Sequence, residues 1–224
     1  MKTKRKLIKA IIFDLDGTII DSDKDIQQII NFIRVNHLNK EKMNINEIAN
    51  YSSIGGSDLI KKTVNKKNSK SYLKFFRKLY VNQEIRKNLI FPGVISLLRF
   101  LKSRKIKIFI CTNKPKYLAS KIVNGTNLKE YVDKYFCSDE FKVKKPDRIF
   151  FRKILKNIKI DINHIIYIGD SIIDYKFCKN SLLEFILFRN KRIKYPKKVY
   201  SELLKLNKIL FSYKNINILK NILS

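Results

Sequence analysis

Two carboxylates, Asp14 and Asp16, stand two residues apart in the run Asp14-Leu15-Asp16-Gly17-Thr18, directly after the apolar stretch Ala10–Phe13. Side chains at that spacing leaving a strand end can share one side. Two close carboxylates repel, and one proton is held between them unless a cation intervenes. Magnesium suits such a pair. It is hard, takes oxygen ligands, and needs only one or two protein carboxylates beside phosphate oxygens and water. Gly17 lets backbone approach a phosphate closely, and N–H groups in such a turn can form an anion-binding nest. Thr18 reads as a cap for the segment that follows. Two further apolar runs also end in polar residues: Ile106–Cys111 at Thr112-Asn113, and Ile165–Ile168 at Gly169-Asp170.

These residues work together only if the elements beneath them are neighbours. The isoleucine-rich runs read as strands buried on both faces, with Phe185–Phe188 and Ile209–Phe211 as two more. Helical patterns lie between them over Val94–Ser103, Lys116–Asn124, Asp147–Asn157, Asp174–Asn180 and Ile216–Leu223. Alternation of this kind predicts an α/β fold, a doubly wound parallel sheet, in which ligands bind beyond the carboxyl ends of the strands. Asp14, Thr112 and Asp170 are therefore expected to meet at one edge. Taken singly, an acidic residue after a strand is more often a turn or cap residue; the order of all the pieces is what is specific. Residues 21–90 differ. Helical stripes at Asp25–Val35 and Ser71–Leu89, without a strong strand run, predict a small helical cap domain inserted after the first strand. The core is then 1–20 and 91–224, with Phe91-Pro92-Gly93 as the re-entry hinge.

Asp14-Leu15-Asp16-Gly17-Thr18 resembles the first signature of the haloacid dehalogenase (HAD) superfamily, and the rest follows in order. Thr112-Asn113 resembles the second signature, Lys145-Pro146 the third, and Gly169-Asp170-Ser171-Ile172-Ile173-Asp174 the fourth. Ile54-Gly55 and Phe91-Pro92-Gly93-Val94 are similar to the phosphoglycolate phosphatase branch. The resemblance implies a Mg²⁺-dependent phosphomonoester hydrolase. Asp14 would be the nucleophile and a metal ligand. Asp16 would be general acid and then base, and would bind the metal through its backbone carbonyl. Gly17, Thr112, Asn113 and Lys145 would hold the phosphoryl group, with Lys145 also catalytic. Asp170 would be the second carboxylate on magnesium, and Asp174 would orient Lys145 or a metal-bound water. The implied substrate is a small anionic phosphomonoester, 2-phosphoglycolate foremost. Alternatives in the same class are a pyrophosphatase, a nucleotide or sugar phosphatase, or a β-phosphoglucomutase-like mutase. Arg148 stands where the branch often has a second proline. Tyr51, Ser52, Ser53, Gly55 and Gly56 are candidates for a cap loop facing the substrate.

Composition bounds the reading. The 224 residues, 45% hydrophobic, are enough for one full domain and a small second one, which excludes wholesale disorder. No apolar run approaches the ~18 residues of a membrane span. The basic start Met1–Lys9 is followed by an apolar run that stops at Asp14, so it does not read as a secretory signal, and a cytoplasmic protein is expected. Cys111, Cys137 and Cys178 form no CxxC pair and read as buried thiols. The net charge of +30 would suit a nucleic-acid-binding protein. However, 39 Lys, 36 Ile and 21 Asn are all products of A/T-rich codons, and the lysines are scattered, so codon bias accounts for the charge and no nucleic-acid partner is expected. By the same composition Lys145, within Lys142-Val143-Lys144-Lys145, reads on its own as a solvated lysine; its place before Pro146 reverses that. His37 and His164 match no signature. A monomer or homodimer is expected.

Overall fold

In the computed structural model, residues 7–206, 208–210 and 212–213 are described. The core opens with β1 (Ala10–Phe13). Four helices follow before the chain returns: α1 (Asp23–Leu38), α2 (Ile45–Ser52), α3 (Gly56–Thr63) and α4 (Ser69–Asn82). Next come α5 (Val94–Ser103), β2 (Lys107–Thr112), α6 (Lys116–Asn124), β3 (Lys134–Cys137), α7 (Ser138–Phe141) and α8 (Arg148–Ile158). The described chain closes with β4 (Ile165–Gly169), α9 (Ile172–Ser181), β5 (Glu184–Phe188), α10 (Lys197–Lys205) and β6 (Ile209–Leu210).

The six strands form one parallel sheet in the order β3-β2-β1-β4-β5-β6. Strand side chains alternate between faces, so one sheet fills two cores. Ile11, Phe13, Ile108, Ile110, Ile166 and Ile168 pack with α5, α6 and the inserted helices. Ala10, Ile12, Phe109, Cys111 and Tyr167 pack with α8, α9 and Leu203 of α10. Burial on both faces explains why these strands read as continuous apolar runs. Ala10 pairs with Lys107 on one side and Ile165 on the other, and Phe13 pairs with Ile110 and Ile168. This register brings the ends of β1, β2 and β4 to the same edge.

The two chain crossings between sheet and inserted helices run side by side. Asp21 N–H donates to Leu89 O at 2.7 Å, and Phe91 N–H to Ile19 O at 3.0 Å. Gly93, at φ 90°, then turns the chain into α5.

Several expectations change. The edge strand β3 and the short α7 and α10 were not anticipated; Lys134 is exposed and β3 has only four residues, too few for a pattern. The helix expected over Ser71–Leu89 runs Ser69–Asn82. The expected cap loop at 51–56 is helical on both sides: Tyr51 and Ser52 end α2 and Gly56 begins α3. Thr18 does not cap the next helix. Ser22 is the N-cap residue of α1 and makes no side-chain cap bond there, while the Thr18 hydroxyl reaches Asp170. The expected helix Ile216–Leu223 and residue Phe211 lie outside the described residues.

Candidate active site

Asp14 follows β1 and its N–H donates to Ile168 O of β4 at 2.9 Å, which ties the nucleophile candidate to the neighbouring strand end. Thr112 ends β2. Asp170 follows β4, one residue before Ser171, the N-cap of α9. Asp174 lies at the third position of that helix, in a reciprocal cap: its N–H donates to Ser171 Oγ at 3.2 Å, and its Oδ2 accepts Ser171 N–H at 3.1 Å as well as Ser171 Oγ–H at 2.6 Å.

Lys145 arrives on the loop between α7 and α8, next to a cis bond to Pro146. Its side chain is 1% exposed and its ammonium makes three contacts. It donates to Asp14 Oδ1 at 2.7 Å, to Asp174 Oδ1 at 2.7 Å and to the Tyr167 hydroxyl at 2.8 Å. The composition-based reading of a solvated lysine is thereby overturned: a buried ammonium persists only where anions surround it. Burial works to lower the Lys145 pKa, but Asp14 and Asp174 outweigh it and hold the ammonium charged. Tyr167 donates in turn to Asp174 Oδ1 at 2.8 Å. Asn113 fastens the same loop, accepting Lys145 N–H on Oδ1 at 2.8 Å and donating to Lys145 O at 3.3 Å.

Asp170 is held by Thr18 Oγ1–H at 3.1 Å, by Asn190 at 3.3 Å, and through its main-chain oxygen by the Tyr195 hydroxyl at 2.6 Å. Burial pushes its pKa well up, and the nearby Asp14 and Asp174 push it further. Burial also raises Asp14, to about 7, with Lys145 opposing. Asp16 is turned elsewhere. Its Oδ1 accepts the Ser22 hydroxyl at 2.6 Å and pairs with Lys114 Nζ at 3.1 Å. Lys114 also lies 4.3 Å from the centroid of the Tyr80 ring, which comes from α4.

Gly17 works by its backbone. With φ at 79°, it adopts a conformation side chains avoid, and an added Cβ would lie 2.0 Å from Asp170 Oδ2. Its N–H donates to Ile20 O at 2.8 Å, so that donor is spent inside the turn and not left for an anion. A cavity of about 40 Å³ opens beside these groups. Asp14, Asp16, Thr112 and Asn113 line its core side, and Ser52, Ser53, Gly55 and Gly56 come from the inserted helices; Tyr51 does not reach it.

Among the described residues Asp14, Asp170 and Asp174 present oxygens all within 4.8 Å of one another, and all three are buried. One ammonium faces three carboxylates there. An oxygen-only donor set with surplus buried negative charge fits a hard divalent cation. The Asp16 carboxylate is not in this cluster. Asp174, which is, already accepts hydrogen bonds from Lys145, Tyr167 and Ser171.

Sequence reasoning did not anticipate Tyr167, Lys114, Ser22, Asn190 or Tyr195. A tyrosine within an isoleucine-rich strand or a lysine among 39 carries no signal of its own. The three cysteines are buried and unpaired, as expected, and burial pushes the Cys137 thiol up to about 12, far from a nucleophile at neutral pH. No helix among the described residues is long and apolar enough to cross a membrane.

Comparison with known proteins agrees with this geometry. The family model for haloacid dehalogenase-like hydrolases matches residues 11–188. The chain is 29% identical over 174 residues to a phosphoglycolate phosphatase of Aquifex aeolicus (strain VF5), covering 78% of this chain and 81% of that one. It is 25% identical over 193 residues to a phosphoglycolate phosphatase of Rhodobacter capsulatus, covering 84% and 87%. Among solved structures, CbbY from Rhodobacter sphaeroides in complex with phosphate superposes with a TM-score of 0.69 at 17% identity, over 94% of this chain and 96% of that one. A predicted phosphatase from Clostridium acetobutylicum gives 0.77 at 21% identity, over 96% and 99%. With the family match spanning the sheet from its first strand to its fifth, and the matched loops meeting at one edge, this chain belongs to the haloacid dehalogenase-like hydrolases, in their phosphoglycolate phosphatase-like branch, and is a phosphatase.

Proposed function

We propose that the enzyme hydrolyses small phosphomonoesters, 2-phosphoglycolate foremost, with Mg²⁺ bound and through an aspartyl-phosphate on Asp14. The observation that carries this reading is the buried cluster in which Lys145 bridges Asp14 and Asp174 while Asp170 stands beside them at the same sheet edge. Asp14, Asp170 and the main-chain carbonyl of Asp16 would hold the cation, and residues 21–90 would act as the cap. When bound, Mg²⁺ would draw charge from the phosphoryl oxygens.

The chain's own groups supply the rest. Lys145 fixes Asp14 through Oδ1, so attack on phosphorus falls to Oδ2. As the new bond forms, the bond from phosphorus to the leaving alcohol breaks, and Asp16 gives that oxygen its proton. Ser22 and Lys114 hold Asp16 through Oδ1, which leaves Oδ2 to carry the proton. In the second step the Asp16 anion takes a proton from water, the water oxygen bonds to phosphorus, and Asp14 departs as a carboxylate. Thr112 Oγ accepts Lys114 N–H at 3.0 Å, which leaves its own O–H to donate to a phosphoryl oxygen. Such fixed charges and donors must do most of the work, because the uncatalysed reaction is so slow that enzymes accelerate it by up to ~10²¹-fold.

The cavity of about 40 Å³ has room for on the order of three water molecules. The leaving alcohol would enter this space, against Leu59, Leu73 and Phe76. Phosphate release from a panel of esters, with Mg²⁺ and with a chelator, tests the reading. The expected outcome is turnover of 2-phosphoglycolate that disappears on chelation and returns with Mg²⁺. Turnover unaffected by chelation, or confined to nucleotides or sugar phosphates, would overturn it.

A further inference from the structure

We propose that Arg77 binds a carboxylate on the leaving half of the substrate, so that the enzyme selects phosphomonoesters whose alcohol carries its own negative charge. This rests on the hydrolase reading above. The cavity is lined by two cations, Lys114 from the core and Arg77 from α4. Lys114 is already committed, to Asp16 at 3.1 Å and to the Tyr80 hydroxyl at 3.2 Å. Arg77 is half-buried, and its guanidinium has no hydrogen-bond or ion-pair partner among the described residues. A partly desolvated guanidinium left without an anion is an open binding group, and its planar fork matches a carboxylate with two parallel bonds. Leu59, Leu73 and Phe76 line the same space, and such apolar walls keep the local dielectric low and the attraction strong. Gly55 caps α3 without a side-chain bond, and Gly55 and Gly56 also line the cavity, so the positive end of that helix adds to the same field. On its outer side Arg77 borders a groove with Lys70, Lys74 and Lys78, a route that draws anions inward.

The test compares kcat/KM for 2-phosphoglycolate, for 2-hydroxyethyl phosphate (which replaces the carboxylate by a neutral hydroxymethyl group) and for 1,3-propanediol bisphosphate, at saturating Mg²⁺. Wild type is expected to prefer 2-phosphoglycolate over the neutral ester. Arg77→Gln is expected to lower kcat/KM for 2-phosphoglycolate by about 10–100-fold, mainly through KM, while the neutral ester stays within ~2-fold. Arg77→Lys should recover part of the loss. Equal losses on the two monoesters, or none on 2-phosphoglycolate, would overturn the assignment. So would a loss confined to the bisphosphate, which would make the bound anion a second phosphate. A wild-type enzyme inactive on every ester would overturn the hydrolase reading, and this subsite with it.

Discussion

Lys145 is where charge balance and chemistry meet. Its ammonium separates two carboxylates that would otherwise repel each other in a buried space, at 2.7 Å from each. Removing one partner of a buried ion pair leaves the other charges uncompensated, which costs about 3–5 kcal/mol. Lys145→Met keeps the apolar stem and deletes the charge. It is expected to lower unfolding stability in urea by about that amount and to abolish turnover. A variant as stable as the wild type would show that the two ion pairs of this lysine with Asp14 and Asp174 do not hold the folded state together. Lys145 also shows what a sequence can and cannot yield. In a chain with 39 lysines nothing in its residue type sets it apart, and only the resemblance of Lys145-Pro146 to a signature singled it out. Tyr167, which shares its ammonium, carried no such mark.

At the level of elements, the site depends on short turns that leave three strands at the same edge. The turn after β1 is the tightest of them, because Gly17 sits against the Asp170 carboxylate. Gly17→Ala would place a methyl 2.0 Å from Asp170 Oδ2 at φ 79°, so the acid must move. Gly56→Ala would meet only the flexible end of Leu73, at 3.1 Å. Titration of activity with Mg²⁺ is expected to show a rise of about tenfold or more in the Mg²⁺ requirement for Gly17→Ala, in line with the cost of misplacing a group that holds a ligand. Gly56→Ala should change it little. Equal Mg²⁺ requirements in the two variants would remove Asp170 from the cation site.

The strands carrying Asp14, Thr112 and Asp170 were legible because burial on both faces makes them continuous apolar runs. The edge strand β3 was not, because its outer residues are solvated and its length is four. The helices α2 and α3 have eight residues each, too short for a clear stripe. For α2 a signal was present and unused: Asn44 and Glu47 form a reciprocal cap, with Asn44 N–H donating to Glu47 at 2.7 Å and Glu47 N–H to Asn44 at 3.0 Å. Thr18 was misread because a hydroxyl next to an expected helix start looks like a cap, whereas a partner 152 residues away lies beyond local pattern.

Over the whole molecule, the charge of +30 is a property of the surface, while the site has a charge balance of its own. If the lysines reflect codon usage, duplex DNA should bind weakly and without sequence preference, with affinity gone by ~150 mM salt. Electrophoretic mobility across a salt series measures this; tight binding that survives such salt would mark a nucleic-acid partner. The proposed hydrolysis requires Asp14 as the attacking group. During turnover of 2-phosphoglycolate with Mg²⁺, sodium borohydride reduces an acyl phosphate on an aspartate to homoserine, and peptide mass spectrometry locates the altered residue. The expected result is homoserine at position 14, absent without substrate and absent in Asp14→Asn, which should also be inactive. Homoserine at another aspartate, or undiminished phosphate release by Asp14→Asn, would contradict it.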